Sequence, residues 1–140
     1  MLPSLFTALL LSLGCIDEPI DGFPGVVVTS AFAHDAGCVL SHYTVDGKKY
    51  EDFTHVLPAL TKAGWADRKK RTAIALTWMQ AVSEENLENL KAKLEDDGGV
   101  RLDATYKPRS GMRERPPEER AVLKVRISPD GVLGPVKDAK

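Results

Sequence analysis

Asp46-Gly47 is the residue pair that most narrows what this chain can become. Both residue types tolerate positive φ, so together they favour a tight two-residue turn between antiparallel strands. Strand formers flank the pair in CVLSHYTV before it and KKYE after it. A β-hairpin is therefore predicted over residues 38–51.

The rest of the chain is read by period. VVVTS (26–30) is β-branched and short, a strand. In EDFTHVLPALTKAGW, the spacing of Phe53, Val56, Leu57 and Leu60 predicts an amphipathic helix. Gly64 stops it, and Pro58 either kinks it or marks its first turn. In TAIALTWMQAV (72–82), Ile74, Leu76, Trp78 and Val82 alternate with Ala73, Ala75, Thr77, Met79 and Ala81. Both sets are largely apolar, which predicts a central strand covered on both sides. A helix is the alternative there, since Ala, Leu, Met and Gln favour helices.

SEENLENLKAKLEDDGG (83–99) reads as the clearest helix. Ser83 would cap it, Glu84 and Glu85 suit its positive end, and Lys91 and Lys93 its negative end. Leu87, Leu90 and Leu94 would form its buried stripe. VRLDATY (100–106) and AVLKVRIS (121–128) alternate as strands with one wet face. Between them, residues 107–119 are rich in Pro and charge and are expected to form a mobile loop. SPDGVL reads as a turn into a last short strand. The expected class is α+β, a small mixed sheet of about four to six strands with two helices packed on it.

The 140 residues suffice for one modest core. Apolar content of 43% and charged content of 28% place the chain among globular proteins. Net charge is −1, unlike a dedicated nucleic-acid binder. The charge is unevenly placed: all nineteen Lys and Arg fall at or after Lys48, against fifteen of the twenty acids.

Residues 1–14 are a short apolar run rich in leucine, ending at Ser12-Leu13-Gly14 before Cys15. A helical bilayer span needs about 20 residues, so this run matches a signal-peptide apolar region instead. IDEPIDGFPG (16–25), with two prolines, two glycines and three acids, reads as a tether. The end of the run resembles the lipobox of bacterial lipoproteins, although Ser12 stands where that class usually has leucine. The resemblance implies removal of residues 1–14, a lipid on Cys15 and a membrane-anchored domain at 26–140. A second processing signal, Ala31-Phe32-Ala33, has the A-x-A form. Retention of residues 1–14 as a buried segment of a cytosolic binding domain is the third possibility.

Chemistry-bearing residues are few. His34, Cys38 and His42 are spaced by four, which on a helix would gather them for a soft or borderline metal. On a strand, Cys38 and His42 share a face but stand roughly 13 Å apart at ~3.3 Å per residue. Catalysis by Cys38 would need a neighbouring base and acid; beside Val39 and Leu40 it reads better as a small buried hydrophobe. No G-x-S-x-G elbow and no phosphate-binding loop occur, so no cofactor is expected. With only Cys15 and Cys38, a disulfide between them requires Cys15 to be retained in an oxidising compartment.

Arg68, Lys69, Lys70 and Arg71 form the strongest basic run, either a solvated turn or a contact patch for acidic partners or lipid headgroups. Arg109, Arg113, Arg115 and Arg120 in the following loop would extend it. The sequence thus points to an exported, non-catalytic lipoprotein. Its domain would bind or scaffold a protein partner in the cell envelope, and nucleic acid is not expected. A secreted metal-binding protein or hydrolase built on His34, Cys38 and His42 is the rival.

Overall fold

A computed structural model describes residues 15, 17–33, 37–83, 87–106 and 122–136. It has two four-stranded antiparallel sheets, each with its strands in sequence order. The chain divides into two compact units, Met1–Phe53 and Thr54–Lys140, with one sheet in each. The α+β class holds. Among the described residues the arrangement is mostly sheet, with one long helix and one short helix, rather than two helices on a single mixed sheet.

In the first unit, β1 is Asp17–Pro19, β2 Val26–Ala33, β3 Gly37–Val45 and β4 Lys48–Tyr50. The expected hairpin joins β3 to β4. Asp46 and Gly47 take φ of 50° and 87°, the left-handed pair that lets Val45 face Lys48 without splaying the strands. Inside the segment read as a tether, Asp17–Pro19 pair with Val27–Thr29 as an edge strand. A turn with Ile20 and Phe23 buried leads from there into β2.

Val26 and Val28 of β2 and Tyr43 of β3 share one face and are buried. The Tyr43 ring stacks on Tyr50 at 5.2 Å and tilts against Phe53 at 5.6 Å. Burial pushes the Tyr43 phenol up to about 12, with Tyr50 and Asp52 adding to the shift. Thr29 pairs with His42 and Ser30 with Leu40, so Ser41 is an extra residue that bulges β3. Among the described residues, neither β1 nor β4 continues beyond this bulge. β2 and β3 run on as a two-stranded ribbon to Ala33 and Gly37.

In the second unit, α1 is Leu57–Lys62, a 3-10 turn spans Arg68–Lys70, and α2 is Arg71–Val82. Then follow β5 (Leu87–Leu94), β6 (Val100–Tyr106), β7 (Val122–Ile127) and β8 (Leu133–Pro135). α1 is shorter than expected: Phe53 lies outside it, Pro58 sits in its first turn, and Gly64 (φ 102°) follows its end. The strands expected at 100–106 and 121–128 are β6 and β7, and SPDGVL leads into β8 as expected.

Two expectations are reversed. Residues 71–82 are a helix, not a central strand. Ile74, Ala75, Trp78 and Met79 form its buried stripe, at spacings that only a helix brings to one face. Small apolar residues elsewhere around the helix disguised that stripe as two apolar strand faces. Conversely, Leu87–Leu94 is a strand, not the clearest helix. Ser83 ends α2 instead of capping a new helix.

The cause of the second reversal is a bulge. Glu88 faces Thr105 and Lys91 faces Asp103, so Asn89 and Leu90 together oppose Ala104. Asn89 takes φ 56°, a conformation Asn tolerates better than most residues. The extra residue brings Leu87 onto the same side as Leu90, Ala92 and Leu94. Leucine spacings of three and then four, the signature of a helix, here come from a bulge followed by ordinary alternation.

Val100, Leu102, Ala104 and Ile127 form the buried face of the second sheet, and α2 packs on β5 and β6. Each large side chain buried in this layer contributes about 1.5–3 kcal/mol. Gly131 joins the strand layer to α1: its carbonyl accepts from the Val56 N–H at 2.8 Å. A Cβ at Gly131 would stand 2.6 Å from the Leu57 Cα, and its φ of 75° suits glycine. The leader at 1–14, the loop at 107–119 and the arginines placed in and beside it lie outside the described residues.

Candidate functional site

The residues proposed for metal or lipid chemistry fall in the first unit. Cys15 and Cys38 are joined by a disulfide, with Cα atoms 5.6 Å apart, inside the normal range. The Cys38 sulfur is thereby occupied, so it is neither a thiolate ligand nor a buried thiol. The Ser41 bulge also separates the pair read as sharing a face. Cys38 and Leu40 lie on one side of β3 and His42 on the other. The His42 Nδ1 lies 3.0 Å from the Ser41 Oγ. His34 lies outside the described residues, and His55 bridges to Val132 in the second unit. Among the described residues, no three His, Cys, Asp or Glu side chains gather as a metal site.

The basic run divides by role. Arg71 donates from Nε to the Trp65 carbonyl at 2.7 Å and from Nη1 to the Gly98 carbonyl at 2.8 Å. Its guanidinium also lies 5.0 Å from the Trp65 ring centre. Arg68 donates to the carbonyls of Asp96 (2.7 Å) and Glu95 (3.3 Å). Trp65, itself buried, donates from Nε1 to the Pro129 carbonyl at 2.8 Å. The two arginines therefore tie the start of α2 to the turn after β5. Lys69 and Lys70 remain exposed in the 3-10 turn.

That same turn is held from the sheet by Arg126 of β7. Arg126 donates from Nε to Glu95 Oε1 at 2.6 Å and from Nη2 to the Asp97 carboxylate. Asp97 also accepts the Gly99 N–H at 2.9 Å. That backbone bond, then Arg126, holds the Asp97 carboxyl below the usual range. The Asp97 and Glu95 bonds raise the Arg126 pKa in turn.

The side of the second sheet opposite its apolar layer carries charge in rows. Lys93 of β5 faces Arg101 of β6, which faces Arg126 of β7. The next row is Lys91, Asp103 and Lys124. A third row, Glu88, Thr105 and Val122, carries one acid. Arg101 pairs with Asp103 at 3.3 Å, and Arg126 with Glu95 and Asp97. Lys91, Lys93 and Lys124 are exposed and make no ion pair with any described residue. An open cleft of about 320 Å³ lies at one end of this face, lined by Lys93, Leu94, Glu95, Asp96, Arg101 and Asp103.

Sequence reasoning missed this face because Lys91 and Lys93 were placed at the end of a helix. The signal was present: in KAKL they alternate with Ala92 and Leu94 at period two. Comparisons with family models, curated proteins and solved structures found no match, so the chemistry of these residues alone bears on function.

Proposed function

We propose that this chain is an exported, non-catalytic binding module of the cell envelope, its first unit fastened by the Cys15–Cys38 disulfide. The observation that carries the reading is that disulfide, placed directly after an apolar run of signal-peptide length. Such bonds persist in oxidising compartments and are rare in the cytosol. Export also fits a first unit with few fully buried side chains, for which a covalent tie is a common supplement.

A second reading keeps the Cys15 sulfur for a lipid, supported by Gly14-Cys15 at the end of the run. One sulfur cannot carry a lipid thioether and a disulfide together, so in that reading Cys38 is a free thiol. Expression of the full chain in a bacterial host, followed by fractionation and N-terminal sequencing, tests export. Recovery outside the cytoplasm with residues 1–14 removed supports both readings. Cytoplasmic protein that keeps Met1–Gly14 would contradict both.

A further inference from the structure

We propose that the charged side of the second sheet, through Lys91, Lys93 and Lys124, docks on an anionic phospholipid surface. This deepens the envelope reading above, by naming what the exported module touches.

The inference begins with which charges are already spent. Of the six charged residues in the two rows, Arg101 and Asp103 neutralise each other, and Arg126 is held by Glu95 and Asp97. The three lysines are left over. Across the strands, positions on β5 and β7 stand two strand spacings apart, about 9–10 Å. Along β5, Lys91 and Lys93 are separated by roughly 7 Å. The lysines thus spread over a shallow patch, without converging on a pocket.

Lysines on an edge strand discourage pairing with another chain, and Lys91 and Lys93 lie on the edge strand β5. Lys124 lies on β7 just beyond Val125, the last residue that β8 pairs, so it borders an open stretch of strand as well, and the same three exposed charges serve both edge protection and docking.

The residue types choose the partner. Cores of protein–protein interfaces are rich in aromatic residues and Arg and poor in Lys. The two rows offer no aromatic anchor, and both of their arginines are paired. Single-stranded nucleic acid would call for aromatic platforms, which the rows also lack. An anionic membrane needs neither an anchor nor a groove. Each lysine near its surface contributes a separate electrostatic attraction, worth about fivefold in binding. The acids at the Glu95–Asp97 turn sit at one end of the face, and two of the three are engaged by Arg126.

The test is binding of the purified full chain to vesicles, which reads the face independently of compartment. Vesicles of phosphatidylcholine alone are compared with vesicles containing phosphatidylglycerol. Any contribution from residues 1–14 through hydrophobic insertion enters both and cancels in their ratio. The expected result is a preference for the anionic vesicles that weakens as salt is raised. In K91Q/K93Q/K124Q the preference falls by about a hundredfold. In K69Q/K70Q, altered at exposed lysines off this face, it is kept. Circular dichroism confirms that both variants are folded. No anionic preference in the parent chain, or a preference that survives K91Q/K93Q/K124Q, would overturn the proposal. Lysine-dependent binding to soluble polyglutamate without binding to anionic vesicles would also overturn it, by pointing to an acidic protein partner.

Discussion

The two units share a strand plan and differ in what holds the plan together. Each contains four antiparallel strands joined in sequence order. In the first unit, the buried apolar residues are Ile20, Phe23, Val26, Val28 and Tyr43. The second buries Trp65, Trp78, Ile74, Met79, Leu102 and Ile127 among others, because a helix lies on its sheet. The first relies on an aromatic stack and a covalent bond; the second on a helix–sheet core and arginines that grip carbonyl oxygens. One meander can thus be stabilised in two ways. A unit with no helix among its described residues leans harder on a disulfide.

Four perturbations should break this contrast along its proper line, and a fifth sharpens it. The largest effect is expected from Trp78→Ala, which empties the centre of the helix–sheet core. It should cost about 3–5 kcal/mol. Amide hydrogen exchange should show protection lost in β5–β7 and kept in β2 and β3. Next, reduction of Cys15–Cys38 opens a link spanning 23 residues of sequence. It should cost the first unit about 3 kcal/mol by chain entropy. Exchange should then rise first in β1–β3.

Alkaline titration targets the first unit as well. The folded state raises the Tyr43 phenol from its usual 10 to about 12. Its contribution is fully present below pH 10 and is lost as pH rises toward 12. The loss is on the order of 2–3 kcal/mol, and Tyr43→Phe should flatten it. Arg71→Met removes two charge-assisted bonds to carbonyls and should cost the second unit about 2 kcal/mol in denaturant melts. The smallest effect, about 1 kcal/mol, is expected for Asn89→Val, since a β-branched residue resists the left-handed bulge position. Asn89→Gly should be close to neutral. If Asn89→Val were equally harmless, the bulge would not be what sets the register of β5.

What the sequence revealed was local. Asp46-Gly47 announces its hairpin through turn chemistry confined to two residues. The alternation in VRLDATY and AVLKVRIS survives because β6 and β7 pair with each other without a bulge. The neighbouring helix and strand were exchanged for reasons equally physical. α2 carries small apolar residues outside its buried stripe, which imitates a two-faced strand. β5 carries a bulge that spaces its leucines like a helix. The candidate site suffered accordingly. Lys91 and Lys93 cannot be matched with Lys124 until residues 87–94 are seen as a strand. The Cys15–Cys38 pairing was legible as a possibility, since the chain has only two cysteines, but the edge strand Asp17–Pro19 beside it was not, because a tether was expected there. Of the basic run, its composition was plain but its division was not. Arg68 and Arg71 find carbonyl partners far along the chain, at residues 95–98, which no local pattern reports.

The chemical state of the Cys15 sulfur tests the central claim most directly. Cells producing the full chain are quenched in acid, their free thiols are alkylated, and the peptides holding Cys15 and Cys38 are identified by mass with and without reduction. The account predicts one cross-linked peptide pair that separates on reduction, with neither cysteine alkylated beforehand. Alkylated Cys15 and Cys38 on a chain that keeps Met1–Gly14 would contradict it.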